Sequence, residues 1–178
     1  MNLKKTKIIS SIGIFLLCFL FHFIYEWMPS FFTAVFFPVN ESIWEHVKLI
    51  FSSIIFYGII DYIILEKNNI KYNNFFTSLF VSSITSIPIF LTIYLPLFYK
   101  MGPKMYINII TMAVAIIISQ IISYCILNKK RYNKLNIISI VLIIISYIGF
   151  AYLTYYPIKG EIFFDVMEEK YGLNDYNV

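Results

Sequence analysis

The chain has 178 residues, of which 60% are hydrophobic, 20% aromatic and only 13% charged, with a mean hydropathy of +0.76. That balance excludes an ordinary soluble domain, whose apolar share is nearer half, and at about 20 apolar residues per crossing it leaves room for five or six spans and no attached soluble module. The net charge of +4 does not mark a nucleic-acid protein, because the basic residues stand in short clusters between apolar runs and build no basic face.

Lys4, Lys5 and Lys7 precede an apolar run over residues 8–27. It has the shape of a signal sequence but is too long and lacks a small-residue cleavage site, so it reads as an uncleaved first span. His22, Tyr25, Glu26 and Trp27 lie at its end, where an aromatic belt is expected. Residues 31–37 are apolar but too short to cross a bilayer. They are expected to lie in the interface, to re-enter it, or to join an extra crossing.

The second span is expected over 47–65, with Asp61 near its far end, paired to Lys67 or hydrogen-bonded by Tyr57 or Tyr62. A third covers 75–98, where Ser78, Ser82 and Ser86 make one small, hydroxylated face. Such a face packs against another helix, in this chain or in a second membrane protein. Pro88 should kink that span and Pro96 loosen its end, since each removes a backbone donor. The fourth span covers 105–127 and the fifth 135–156, separated by the basic cluster Lys129, Lys130, Arg131 and Lys134. The tail, 157–178, turns acidic with Glu161, Asp165, Glu168, Glu169 and Asp175. Its apolar residues among acids suggest a segment folded back across the mouth of the bundle. Cys18 and Cys125 fall in separate spans, without disulfide or redox spacing.

The fold class is therefore an all-α bundle of about five transmembrane helices in a single domain, with the lipid bilayer as its surroundings. Nine of the fourteen basic residues would share one side, which the positive-inside rule makes the cytoplasm. The amino terminus is then inside and the carboxyl terminus outside. Heavy use of Ile, Asn, Lys, Phe and Tyr suits an AT-rich genome, so the expected location is a bacterial cytoplasmic membrane.

Polar chemistry concentrates in residues 38–48, PVNESIWEHVK. Ser42 and Glu45 have the spacing of a capping box, and Asn40 is an equally good cap. On a helix, Glu41, Glu45 and Lys48 share one face, while His46 points with Ile43 and Ile50. His22 and Glu26, four residues apart, make a second polar stripe at the same depth. Ionisable groups in a membrane require partners, so the two helix ends should meet and gather His22, Glu26, Glu41, Glu45 and His46. Trp44 is the type of residue that anchors at an interface. The set His22, His46, Glu41 and Glu45 is one that holds a divalent metal.

Three roles follow. The first is binding of a small ligand or ion at an outward pocket of His22, Glu26, Asn40, Glu41, Trp44, Glu45, His46 and Lys48, in a transporter component or sensor. The second is a metal-dependent hydrolase or lipid-modifying enzyme using the same residues. In the third, structural, the motif only caps a helix and the serine face docks a neighbouring protein.

HFIYEW at the end of the first span, FFPVNESIWEHVKLIF opening the second, and the pattern from Pro157 through Asp165 to Tyr171 and Gly172 together resemble a family of small uncharacterised bacterial membrane proteins. The resemblance runs over the whole chain and is most distinctive across residues 40–48. It implies a multi-span fold and points to that motif, and it carries over no catalytic role.

Overall fold

A computed structural model describes residues 2–173. The helices are α1 (Leu3–Trp27), α2 (Phe31–Phe36), α3 (Ile43–Lys67), α4 (Phe75–Met101), α5 (Met105–Leu127) and α6 (Asn133–Tyr155). A helical turn, Glu161–Phe163, then leads into a small antiparallel hairpin of β1 (Phe164–Asp165) and β2 (Lys170–Tyr171). All the helices but α2 are long and apolar enough to cross a membrane, consistent with a multi-pass membrane protein.

The axis of the bundle is α3. In its most apolar stretch 61% of residues are buried, against 17–39% in the other membrane-length helices. It packs between α1 and α4; α4 also contacts α5 and α6, α1 also contacts α5, and the short α2 lies against α6. The outer faces are aliphatic: α6 exposes Ile137, Ile144 and Ile148, and α1 exposes Ile8, Ile12 and Leu16. In lipid such faces need no partner, and the helical backbone satisfies its own polar groups. Where α1 meets α3 the approach is close, since a Cβ on Gly13 would stand 2.2 Å from the ring of Tyr57.

One end of the bundle gathers the basic segments. Leu3, Leu65 and Leu127 pack together there, and the loops on either side of α4 and α5 are tied by Asn73 N–H to the Leu127 carbonyl (2.9 Å) and Tyr132 N–H to Asn74 Oδ1 (2.7 Å). Just inside this end the helix α1 already carries Lys7, so the first helix starts before the apolar run does. Lys7 Nζ donates to Asp61 Oδ2 (2.6 Å) and Gln120 Oε1 (3.2 Å), and Ser10 Oγ to Asp61 Oδ1 (2.5 Å). Asp61 is thus paired across three helices, and neither Lys67 nor a tyrosine is its partner. A buried charge needs this much coordination.

Helix α4 accommodates its prolines and its serine face within the chain. The helix runs unbroken through Pro88 and Pro96, with Thr85 and Ser86 hydroxyls bonding the Val81 and Ser83 carbonyls (2.6 and 2.7 Å) in the turn before Pro88. The face of Ser78, Ser82 and Ser86 is buried to within 2% exposure, and Ser78 Oγ lies 3.3 Å from Ser123 Oγ of α5. That face is packed inside the chain, as one of the two readings of it expected.

At the opposite end the tail closes over the motif. Asp165, fully buried, accepts from the N–H of Glu41 (2.7 Å) through one oxygen and from those of Met167 (2.7 Å) and Glu168 (3.1 Å) through the other. Asn40 Nδ2 donates to the Gly172 carbonyl (3.2 Å), and Leu173 N–H to that of Thr154 (3.1 Å). Gly172 has φ +54°, and a Cβ there would stand 2.4 Å from the Thr154 carbonyl oxygen; both facts demand glycine. Asp175 lies outside the described residues.

Candidate functional site

The motif divides into two halves with different chemistry. Helix α3 begins at Ile43, so Glu41 stands in the preceding loop and not on the helix face with Glu45 and Lys48. The capping box is half made: Ser42 Oγ accepts from the N–H of Glu45 (3.3 Å), but Ser42 N–H is satisfied by Asn40 Oδ1 (3.0 Å). The Glu45 carboxylate is engaged elsewhere.

That engagement is with Lys48, one turn along, at 2.6 Å. Lys48, wholly buried, also donates to the Ala34 carbonyl of α2 (2.8 Å) and to Thr154 Oγ1 of α6 (2.9 Å). Thr154 in turn donates to Glu45 Oε1 (2.8 Å), and Val39 N–H to Glu45 Oε2 (3.2 Å). Every ammonium proton has an acceptor. This closed network welds α2, α3 and α6 at one level, and it has no room for a ligand. Glu45 therefore leaves the expected metal set, and Lys48 leaves the expected pocket.

The other half is open. His22 from α1, Glu41 from the loop and His46 from α3 each turn one ligand atom toward a common point, all within 4.8 Å of one another. His22 Nε2 lies 3.1 Å from Glu41 Oε1, and His46 Nε2 lies 3.6 Å from Glu41 Oε2. His46 Nδ1 stands 2.9 Å from the Ser42 carbonyl. A carbonyl only accepts, so Nδ1 holds a proton, and in the neutral ring Nε2 presents its lone pair. That nitrogen faces a carboxylate oxygen across 3.6 Å. A proton on Nε2 or a metal ion between the two would satisfy both. The hydrogen bond from His22, whose Nε2 proton a bound metal would displace, holds the Glu41 carboxyl below its usual range against some desolvation.

The fit to a metal is geometric as well as chemical. Bonds of about 2.0–2.2 Å in a tetrahedral shell separate neighbouring ligand atoms by roughly 3.3–3.6 Å. The contacts to Glu41 are 3.1 and 3.6 Å, through different oxygens, and the three ligand atoms lie within 4.8 Å of one another, so small side-chain shifts would close the set on an ion. The carbonyl on His46 Nδ1 is the outer contact that orients a metal-bound imidazole. Two imidazoles and one carboxylate leave a fourth position free.

That position faces a cavity of about 690 Å³ between α1, α3, α4, α5 and the tail. Its walls are chiefly apolar, including Phe15, Phe19, Leu49 and Met112, with Asn108 and Lys104 as polar members. Asn108 Oδ1 is buried without a hydrogen-bond partner among the described residues.

The remaining motif residues build the frame. Glu26 is exposed and influences His22 only through its charge. Asn40 ties the loop to the tail. Trp44 is half-buried, with its ring 5.2 Å from that of Phe150 and 5.0 Å from that of Phe163, so it seats the tail instead of anchoring at an interface. Sequence reasoning did not single out Thr154 or Asp165 as partners of the motif, because they lie 109 and 124 residues from the groups they bond. The one available sign was an acid among apolar residues in the tail.

A bundle with five membrane-length helices, stapled at the motif and bearing two histidines and a carboxylate at the head of a cavity, is an all-helical protein, consistent with a multi-pass membrane protein, with a polar centre at one end. The chain belongs to DUF6512, a family of unknown function, whose sequence model matches residues 1–173. No curated protein and no solved structure matches it.

Proposed function

We propose that the protein is a multi-pass protein of the bacterial cytoplasmic membrane that holds a divalent metal ion at His22, Glu41 and His46 and presents the ion's free position to a ligand in the adjoining cavity. The observation that carries the proposal is the convergence of His22, Glu41 and His46, whose ligand atoms all lie within 4.8 Å of one another, with His46 Nδ1 turned to the Ser42 carbonyl so that Nε2 faces Glu41. The basic segments cluster at the far end, which supports an amino terminus in the cytoplasm and a site on the outer side.

The ion would supply Lewis acidity and a bound water of lowered pKa. His22 and His46 would supply lone pairs, and Glu41 would neutralise part of the charge. The free position beside a chiefly apolar cavity accommodates the enzyme role, with hydrolysis or lipid modification as the reaction class, and equally the ligand-binding role of a sensor or transporter component.

Elemental analysis of the detergent-purified protein, beside a His22→Ala, His46→Ala double variant of equal yield and fold, tests the metal. One transition metal ion per chain, lost in the variant, is the expected result. Metal-free protein after purification in zinc-supplemented buffer overturns it.

A further inference from the structure

The cavity itself indicates what the ligand is. Along α1 it runs from Phe15 up to His22 and Phe23, and along α5 from Met112 up to Met105. Seven residues of helix make about 10 Å of depth on each side. The polar centre therefore caps one end of an apolar shaft, and the floor of the shaft reaches toward the middle of the bilayer.

The shaft also opens sideways. Phe19 and Phe23 on α1 line it yet are 44% and 42% exposed, and Met105 on α5 lines it and is 78% exposed. Farther down, α1 and α5 are held together by Lys7 and Gln120 at 3.2 Å. The two helices are thus joined below, while above this tie the lining residues Phe19, Phe23 and Met105 are exposed on the flank that would face lipid. Overhead, Val166 and Met167 of the hairpin form the roof, and Asp165 fixes that roof to the Glu41 loop. Entry is easier from the bilayer than from water.

Charge selects the head group. A divalent ion against one carboxylate and two neutral imidazoles leaves net positive charge, while Lys104 and Glu168, which both line the cavity, offset one another. An anionic oxygen suits that charge, and the unpartnered Asn108 Oδ1 on the same wall, an acceptor, would face a hydroxyl or water beside it rather than the anion. A volume of about 690 Å³ falls in the range of small-molecule pockets.

Resting on the metal assigned above, we infer that the cavity takes a single-chain amphiphile with an oxyanion head, which enters between α1 and α5, lays its chain against Phe15, Phe19 and Leu49, and places its head at the His22, Glu41 and His46 centre. A fatty acid carboxylate and the phosphate of a single-chain phospholipid share this chemistry.

The test uses the full chain in lipid nanodiscs, loaded with zinc, and a fluorescent long-chain fatty acid as probe. Acetate, a long-chain alcohol and a single-chain alkyl phosphate serve as competitors. Saturable binding is expected, with acetate weaker by at least about a hundredfold for want of buried methylenes and the alcohol by about tenfold for want of charge. The alkyl phosphate distinguishes the two sources by whichever competes more strongly. Ile109→Trp on the shaft wall and Met105→Trp at the exposed rim should each weaken the probe by about tenfold or more with zinc content unchanged. Zinc-loaded protein that binds no probe, or that binds it equally well in both tryptophan variants, overturns the amphiphile and leaves the metal standing. Protein without zinc that binds the probe equally well before and after His46→Ala overturns the metal and the head-group placement together.

Discussion

Eleven consecutive residues feed two charged clusters whose physics is opposite. In the first, Glu45 and Lys48 are fully buried and every polar atom they bring is matched, by each other, by Thr154 and by the backbone of Ala34 and Val39. In the second, Glu41 is 44% exposed, and it faces His46 Nε2 across 3.6 Å. A charge network that is satisfied holds elements together; one left open can receive a proton or a metal ion. The same contrast separates Lys7 and Asp61, matched across three helices, from the centre at the other end of α1.

The contrast is broken most severely at Lys48. Replacing it with Met preserves the stem but strands the Glu45 carboxylate in the interior, which costs about 3–5 kcal/mol. Loss of folded protein in size-exclusion profiles, or a large drop in thermal midpoint, is expected. A Lys48→Met protein as stable as the parent would show that the buried pair is no latch. Next in size is Thr154→Val, which removes a donor to Glu45 and an acceptor from Lys48 at constant shape. The unmatched groups should cost about 1–3 kcal/mol, read as a lower midpoint with metal content intact. Gly172→Ala comes third at about 1–3 kcal/mol, because a Cβ collides with the Thr154 carbonyl and the φ is left-handed. It should loosen the tail selectively, seen as faster hydrogen exchange at Glu41, Met167 and Glu168, whose N–H groups Asp165 holds.

The membrane-length helices were legible because hydropathy and length are local properties of the chain, and α1 differed only at its start, where Lys7 proved to be inside the helix and matched to Asp61. The motif was legible as an address but not as an arrangement. Glu45 has the right spacing for a capping box and for a metal set, and what diverts it is Thr154, which arrives from α6. The serine face of α4 has the composition of an intermolecular contact, and only the position of Ser123 shows that α5 takes it. Trp44 reads as an interface residue until Phe163 of the tail is laid upon it. In each case the local signal was sound, and a partner distant in sequence decided its use.

The smallest stability effect, set against its neighbour Glu45→Gln, which strands the buried Lys48 ammonium and so belongs with Lys48→Met at the upper end of the scale, sharpens the contrast furthest. Glu41→Gln keeps the side chain's volume and leaves its backbone N–H on Asp165 (2.7 Å), so both fold and tail retain their contacts. Its carboxylate is partly exposed, and such pairs contribute about 0–1 kcal/mol. The thermal midpoint should therefore barely move. The metal centre responds differently, because the amide supplies one neutral oxygen in place of an anion, and the charge on the ion then goes uncompensated. Zinc affinity should fall by about tenfold or more, a loss of at least about 1.4 kcal/mol, in competition against a chromophoric chelator. Glu45→Gln, at the same chain length four residues later, should do the reverse: it leaves Lys48 facing an amide in a dry interior and destabilises the fold by about 3–5 kcal/mol, while zinc affinity in the surviving folded fraction stays close to the parent's. If both glutamine variants lost metal and stability together, the two clusters would be one coupled unit and the division of the motif into latch and site would fall. If each loses only its own property, a single helix start performs both tasks by turning adjacent carboxylates to opposite sides.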